Sequence, residues 1–366
     1  MILYKYIFKE ILKTQIITLI VLLVVFLSQS MIRLISRAAV GTVPVDIITN
    51  LAAYAVPEIA MIMLPLTLFL ACLITLGRIC SDSEMVVMRS IGFSPANVMT
   101  IAMILAFFTS IVTAFNCIYL VPWASNAKET LMKQTENNPQ FLPIESGKFS
   151  SMGGYNIYIE NVEEKSDGEK NIANVFVMES PFANVGNSMT IADNGYLVHD
   201  ENGVLWLELD KGSRFEVLTK DGTSNKAIFD KFRAPVAGSN SELQEDDSIS
   251  SRDTFELLNS GEKRGIVEAQ WRLSPIFAVF ILTFIAIPLS MVNPRQGRFA
   301  RLMPAILIYA SYYMFLLSCR NMINSGSWPL YPGLFIVPVV FLFFVGIPLN
   351  LPRNFWKLLH SKKEAQ

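Results

Sequence analysis

The stretch LAAYAVPEIAMIMLPLTLFLACLITL, residues 51–76, decides the fold class. Glu58 is its only charged residue, and the stretch exceeds the length of about 20 apolar residues that a helix needs to cross a bilayer. Five other segments have a similar character. The six predicted spans are Ile11–Gln29, Leu51–Leu76, Val98–Val121, Leu273–Val292, Leu302–Ser318 and Leu330–Leu351. This pattern predicts a multi-pass α-helical membrane protein with six transmembrane helices.

The first of these segments has an alternative interpretation as a signal peptide, because Lys5, Lys9 and Lys13 precede it. Signal peptides have apolar cores of about 7–15 residues, and this run is longer. Arg33 also lies between the run and the small residues at which cleavage would occur. A transmembrane helix is therefore favoured.

The composition agrees with a membrane protein. Hydrophobic residues make up 52% of the 366 residues and charged residues only 17%, whereas soluble domains carry about 25% charged residues. Four cysteines are too few for a disulfide scaffold of this length. Ordinary soluble, disordered and disulfide-stapled classes are thereby excluded.

Residues 123–270 differ from both flanks, since they contain 25 acidic and 14 basic residues while the flanks contain 6 and 16. Within this insert, Tyr155, Ile157 and Ile159 alternate with polar residues, and so do Leu205, Leu207 and Leu209. Turn dipeptides recur at Gly153-Gly154, Asp167-Gly168, Asn194-Gly195, Asn202-Gly203, Lys211-Gly212 and Asp221-Gly222. The insert is predicted to be all-β, a sandwich or jelly roll. It divides the chain into residues 1–122, 123–270 and 271–366.

The distribution of Lys and Arg predicts the orientation. With the N-terminus inside, the inner ends of the spans hold twelve Lys and Arg residues and the short outer loops hold three, Arg33, Arg37 and Arg320. Positive residues favour the cytoplasmic side. Both termini are therefore predicted to be cytoplasmic, and the acidic insert is predicted to be exported, into the periplasm of a Gram-negative cell. Its acidity argues against a nucleic-acid partner.

No residue pattern supports an enzyme. The sequence has two histidines, no metal-ligand spacing, no phosphate-binding P-loop and no G-x-S-x-G elbow. Glu58 is the one clear carboxylate within a span, and it is interpreted as an interfacial residue in preference to an ion-coupling group. We expect no metal and no cofactor.

The loop between spans 2 and 3 predicts a short bounded helix near residues 82–91, here called the loop helix. Ser81 with Glu84 resembles a capping box, and Gly92 stands where a C-terminal cap belongs. Ser94-Pro95 then begins span 3. Met85, Met88 and Ile91 form an apolar stripe, which suits either an interfacial helix lying on lipid or, as we favour, a coupling helix that docks on a cytoplasmic partner.

Arg33 and Arg37 lie one helical turn apart beyond the first span, so they face the same direction. They either extend to lipid headgroups or form a phosphate-binding pair.

Several motifs resemble the lipopolysaccharide-export permease family, LptF/LptG. They are VPE at 56–58, LPL at 64–66, the loop from Ser83-Glu84 through Arg89 to Gly92, IPLS at 287–290 and NPRQGR at 293–298. The layout of three spans, a large β insert and three more spans is also that of the family. The last motif is closer to the LptF branch than to the LptG branch.

The resemblance implies an inner-membrane permease that pairs with a paralogous permease of the LptG type above a separate LptB ATPase dimer. It would take lipopolysaccharide from the outer leaflet and pass it through a β-jelly roll to LptC and then LptA. The coupling role would fall on Glu84, Met85, Met88 and Arg89. Substrate contact would fall on Arg33, Arg37, Tyr309, Tyr312 and Leu316. The alternatives are a mechanotransmitting ABC subunit, which usually has its exported domain after the first span, and a membrane-anchored sensor, which needs no coupling helix.

Overall fold

A computed structural model describes residues 2–39, 43–136, 147, 149–152, 155–164, 170–179, 187–199, 205–217, 224–235, 249–291 and 302–351. The chain separates into two compact units. The helical unit comprises residues 1–27, 55–124 and 249–366, and the sheet unit comprises residues 28–54 and 125–248. The motif at residues 293–298 lies outside the described residues.

Six helical segments are long and apolar enough to cross a membrane, which confirms the prediction of six spans. They are span 1, Ile2–Ala39; span 2, Val45–Ser81; span 3, Pro95–Gln134; span 4, Lys263–Ser290; span 5, Leu302–Asn324; and span 6, Gly333–Asn350. Most extend beyond the predicted apolar segments because the polar residues at their ends continue the same helix. A separate short helix, Thr254–Asn259, precedes span 4.

Three of these spans are built from consecutive pieces. Span 2 is a 3₁₀ turn, Val45–Ile47, followed by the α-helix Ile48–Ser81. Span 3 consists of the α-helix Pro95–Phe115, a π-helical turn at Asn116–Leu120 and all but the last two residues of the α-helix Val121–Glu136. Span 6 consists of Gly333–Phe335, Ile336–Phe341, Leu342–Gly346 and Ile347–Asn350.

Spans 2 and 4 supply much of the core of the helical unit. Leu68 and Phe69 of span 2 and Val279 and Leu282 of span 4 are fully buried. Two-thirds (67%) of the most apolar window is buried in each of these spans, against 11% in span 1. Span 1 is therefore a peripheral helix of this unit.

The β insert forms one six-stranded antiparallel sheet in which consecutive strands pair. The strands are β1, Phe149–Met152; β2, Tyr155–Glu164; β3, Lys170–Glu179; β4, Asn187–His199; β5, Leu205–Val217; and β6, Ser224–Pro235. β1 and β6 are the edges among the described strands. The insert is thus all-β, as predicted, and the open sheet is compatible with a jelly roll.

A crease crosses strands β2 to β6. One residue on each of these strands is left out of the regular pairing, and the five residues are neighbours across the sheet. They are Glu160, Asn174, Asp193, Lys211 and Asp230. All five are exposed, and Asn174 and Lys211 have positive φ angles of 55° and 53°. Asn tolerates this left-handed conformation, whereas Lys rarely adopts it. The conformation bends the two strands at these residues.

The crease folds the sheet around an apolar interior. Val175 and Ile172 are three residues apart on one strand, so regular alternation would place them on opposite faces. Both nevertheless belong to one buried cluster, made of Ile157, Ile159, Ile172, Val175, Val177, Ala192, Leu207 and Leu209. The predicted stripes are therefore confirmed at Ile157, Ile159, Leu207 and Leu209, whereas the side chains of Tyr155 and Leu205 lie outside the described residues.

Two predicted turns are wrong. Asn194-Gly195 lies inside β4 and Lys211-Gly212 lies inside β5, where both flank the crease. A Cβ on Gly212 would collide with the carbonyl oxygen of Ile191 and the ring of Phe229. The glycine therefore permits close approach of two strands and does not form a hairpin turn. The other four turn dipeptides lie outside the described residues.

Candidate functional site: the loop helix and its contacts

The loop helix spans Glu84–Ser90, slightly shorter than predicted. Its C-terminal cap is confirmed, since Gly92 has a φ of 86° and the Phe93 amide donates to the Met88 carbonyl at 3.0 Å. The N-cap of span 3 is also confirmed, because the Ala96 amide donates to Ser94 Oγ at 3.1 Å. The helix is thus bounded at its C-terminal end by local sequence.

The predicted capping box is wrong. Ser81 is the last residue of span 2, and the N-cap of the loop helix is Ser83, whose φ of 61° reverses the chain. The Val86 amide donates to the Ser83 carbonyl at 3.1 Å, and the cap side chain makes no hydrogen bond. Glu84 is consequently the first helical residue and its carboxylate is not used as a cap.

The predicted apolar stripe divides between the interior and the surface. Met85 and Met88 are 3% and 5% exposed and belong to the core of the helical unit. They hold the loop helix to its own chain. Val86, Val87 and Ile91 are instead the exposed apolar residues, at 59%, 64% and 68%.

The two ends of the loop helix contact different spans. Tyr6 Oη of span 1 donates to Glu84 Oε2 at 3.1 Å. At the other end, Arg89 Nη2 lies 3.7 Å from the sulfur of Met291, which follows span 4. The loop helix therefore bridges the N-terminal end of span 1 and the C-terminal end of span 4.

Tyr6 is the first of three polar residues at four-residue spacing, Tyr6, Glu10 and Thr14, here called the polar stripe of span 1. Arg78 Nη2 donates to Glu10 Oε2 at 2.8 Å, and Thr75 Oγ1 donates to Thr14 Oγ1 at 2.9 Å. Spacing of four residues places the stripe on one side of the helix. The polar stripe thus faces span 2 and the loop helix continuously.

A charged cluster is buried at the other end of span 4. Arg272 is completely buried and donates to Glu268 Oε1 at 3.3 Å, to the carbonyls of Ser250 and Arg252 at 2.7 and 2.9 Å, and to Thr254 Oγ1 at 3.1 Å. A second arginine balances the same carboxylate, since Arg320 Nη2 donates to Glu268 Oε2 at 2.7 Å. The cluster joins the segment that re-enters from the β insert to spans 4 and 5.

Sequence reasoning missed this cluster and the polar stripe. For the cluster, the available signal was the four-residue spacing of Glu268 and Arg272 at the start of an apolar segment. For the polar stripe, it was the same spacing of Tyr6, Glu10 and Thr14 at the start of the first apolar segment. That spacing places residues on one face but does not identify their partners, which are tens of residues away in sequence.

The five residues predicted to contact the substrate lie near the end of span 1 and in span 5. Arg33 and Arg37 are exposed near the end of span 1, within the sheet unit. In the helical unit, Tyr312 and Leu316 are completely buried and Tyr309 is partly buried, its hydroxyl donating to the Ile62 carbonyl at 3.2 Å. Tyr312 and Leu316 therefore pack in the core, and the exposed face of span 5 carries Met303, Leu307, Met314 and Phe315.

Outside the spans, one surface contact in the β insert alters a pKa. Lys231 Nζ lies 3.4 Å from the Tyr196 hydroxyl beside the crease, and this hydrogen bond raises the pKa of Lys231. Within the described residues, no group of His, Cys, Asp and Glu side chains has the arrangement of a metal site.

Six apolar helices that carry an all-β insert after the third define a multi-pass membrane protein of the permease type, with a bounded helix in one loop. A family model described as lipopolysaccharide export system permease LptF/LptG matches residues 5–350. The chain belongs to this family.

Individual relatives agree with the family. The LptF lipopolysaccharide export system permease proteins of Escherichia coli K12, E. coli O157:H7 and Shigella flexneri are each 32% identical to this chain over 354 residues. The alignments cover 96% of this chain and 95% of each relative. The chain is therefore a permease subunit of the lipopolysaccharide export type.

Proposed function

We propose that this chain extracts lipopolysaccharide from the outer leaflet of the inner membrane and passes it through its β insert toward the outer membrane. A paralogous permease of the LptG type completes a heterodimer, and a cytoplasmic LptB dimer hydrolyses the ATP. LptC and then LptA receive the lipid. Both termini are cytoplasmic and the sheet is periplasmic, in line with the excess of Lys and Arg at the inner ends of the spans.

The observation that carries this proposal is the loop helix. It is rigidly bounded at its C-terminal end, its methionines anchor it from within, and its apolar outer surface of Val86, Val87 and Ile91 has no partner residue in the described core cluster. Exposed apolar residues on a short helix fit a groove on another protein. Because the sequence has no P-loop, the chain needs an external source of energy.

The test replaces this surface while leaving the anchoring methionines in place. In the double variant Val87→Glu, Ile91→Glu, unpaired carboxylates would be buried on docking, at a cost of several kcal/mol. We expect the ATPase to be lost from the complex purified through this chain. Ile228→Glu, at an 80% exposed apolar position of the sheet, is the matched control. Retention of a fully active ATPase by the double variant would contradict docking through the loop helix.

The interior of the folded sheet is the proposed lipid path. Each acyl CH₂ kept from water is worth about 0.8 kcal/mol, and the buried cluster of the sheet offers an apolar surface. Photo-crosslinking residues at Ile157 and Leu207 should form ATP-dependent lipid adducts in the assembled exporter, whereas the same residue at Ile228 should not. Adducts confined to the spans would make the insert a scaffold with a closed core.

A further inference from the structure

Within the helical unit, the buried residues of span 1 lie near its N-terminal end. Its buried residues there are Ile7, Ile11 and Gln15, and Gln15 Nε2 donates to Thr109 Oγ1 of span 3 at 3.1 Å. From the next residue onward the helix exposes large apolar side chains, which are Ile16, Ile17, Ile20, Val21, Val24 and Val25. The first fifteen residues thus carry the buried contacts of this helix within the unit.

Those contacts include the loop helix itself. Tyr6 donates to the carboxylate of Glu84, and the ring of Tyr4 packs edge-on against Phe93, with centroids 5.4 Å apart. Glu10 pairs with Arg78, three residues before the end of span 2. Hydrogen bonds to ionised groups are short and directional, so a displacement of the loop helix acts directly on residues 4–10 of span 1.

Span 1 also has the composition of a stiff rod. The helix Ile2–Ala39 is unbroken over 38 residues and contains neither Gly nor Pro. Span 2, by comparison, contains Pro57 and Pro65. Kinks in helices arise mainly at Pro, Gly and π-turns, so movement at the inner end of span 1 is not absorbed along its length.

We infer that Tyr6 and the Glu10–Arg78 pair are positioning residues that transmit movement of the loop helix to span 1. This inference rests on the proposed function, in which an ATPase moves the loop helix. Arg33 and Arg37, the proposed phosphate contacts, belong to the same helix. Glu84 is the acceptor for Tyr6 in this path.

The test separates ATP hydrolysis from lipid release. The intact exporter is reconstituted in proteoliposomes with lipopolysaccharide, and both rates are measured for Glu10→Arg, for Arg78→Glu and for the double swap. Each single variant places like charges together, and we expect lipid released per ATP to fall about tenfold, with hydrolysis changed by less than about twofold. The double swap restores the ion pair and should restore release to within about threefold of the original.

Tyr6→Phe removes the hydroxyl alone and should reduce the same ratio in the same direction. Lys133→Glu is the control, because it reverses one charge of an i,i+4 ion pair with Glu129 that lies in the sheet unit. It should leave the ratio unchanged.

An unchanged ratio in Tyr6→Phe and in both single swaps would overturn the inference. Loss of the ATPase from these complexes would also overturn it, because the contacts would then serve assembly. Failure of the unaltered exporter to bind the ATPase or to release lipid would instead contradict the proposed function, which distinguishes the two.

Discussion

The helical unit and the sheet unit differ in the polar side chains that they bury. In the helical unit, Arg272, Gln270 and Gln15 are buried, while large apolar side chains such as Val21 and Phe315 are exposed. In the sheet, the buried cluster is entirely aliphatic, the buried polar side chains include the small hydroxyl residues Ser188 and Thr190, and the crease is lined on its exposed side by polar residues. The difference teaches that the two units are built for different solvents, hydrocarbon around the helices and water around the sheet.

The same comparison explains why a charge cluster can be retained inside the helical unit. Glu268 is shared by two arginines, and Arg272 is saturated with carbonyl and hydroxyl acceptors. A buried charge is tolerated when its hydrogen-bonding capacity is fulfilled. In the sheet, by contrast, the Arg233–Glu208 pair lies at the surface, where water already satisfies both groups.

The largest expected effect is at Arg272. Arg272→Met preserves the approximate length of the side chain but leaves Glu268 and two carbonyls without this donor. Removing one partner of a buried charged network costs about 3–5 kcal/mol, so we expect a clear loss of thermal stability of the purified protein in detergent. Arg252→Ala is the control. Within the described residues, its side chain forms an exposed pair with Glu262 at 3.4 Å, worth at most about 1 kcal/mol. Equal loss in both variants would mean that the buried network does not stabilise the unit.

An identical change at two exposed apolar positions tests the contrast directly. Val21→Asp places a carboxylate near the middle of span 1, at a cost of about 2.5–3.5 kcal/mol in hydrocarbon. Ile228→Asp places it on the sheet, where a surface substitution changes stability by less than about 0.5 kcal/mol. The amount of full-length protein recovered from membranes should fall for the first and not for the second. The reverse result would assign the sheet, not span 1, to the apolar environment.

A smaller effect is expected at the crease. Gly212→Ala introduces a methyl group against Ile191 and Phe229, and overpacking of this kind costs about 1–3 kcal/mol. We expect faster proteolysis of the β insert in the intact protein, with the spans unaffected. Ser213→Ala, one residue further along the same strand, is the control. Equal resistance of both variants to proteolysis would show that the added methyl group causes no strain at the crease.

The smallest effect concerns Arg33 and Arg37. Both are exposed, so their reversal in the double variant Arg33→Glu, Arg37→Glu should leave stability nearly unchanged. We expect a several-fold decrease in crosslinking of lipopolysaccharide to the outer end of span 1, since two favourable charge contacts become repulsive. Unchanged crosslinking would mean that these arginines make only ordinary contacts with lipid headgroups.

The arrangement of the chain could be predicted from local patterns. Runs of apolar residues predicted the six spans, period-two alternation predicted the all-β insert, and Gly92 and Ser94 predicted where the loop helix ends and span 3 begins. Each of these signals depends on the solvent around a segment or on the backbone conformation of a few consecutive residues. Both are determined by the residues of that same segment.

The crease, the acceptor role of Glu84 and the Arg272 cluster were decided by tertiary structure. Asn194-Gly195 has the composition of a hairpin turn, but its neighbouring strands hold it in a bent strand. Glu84 matched a local cap, yet its carboxylate meets Tyr6, which is 78 residues away in sequence. A side chain with several possible hydrogen-bond partners takes the one that packing brings within 3 Å or so, and the packing of distant helices and strands is a property of the whole chain.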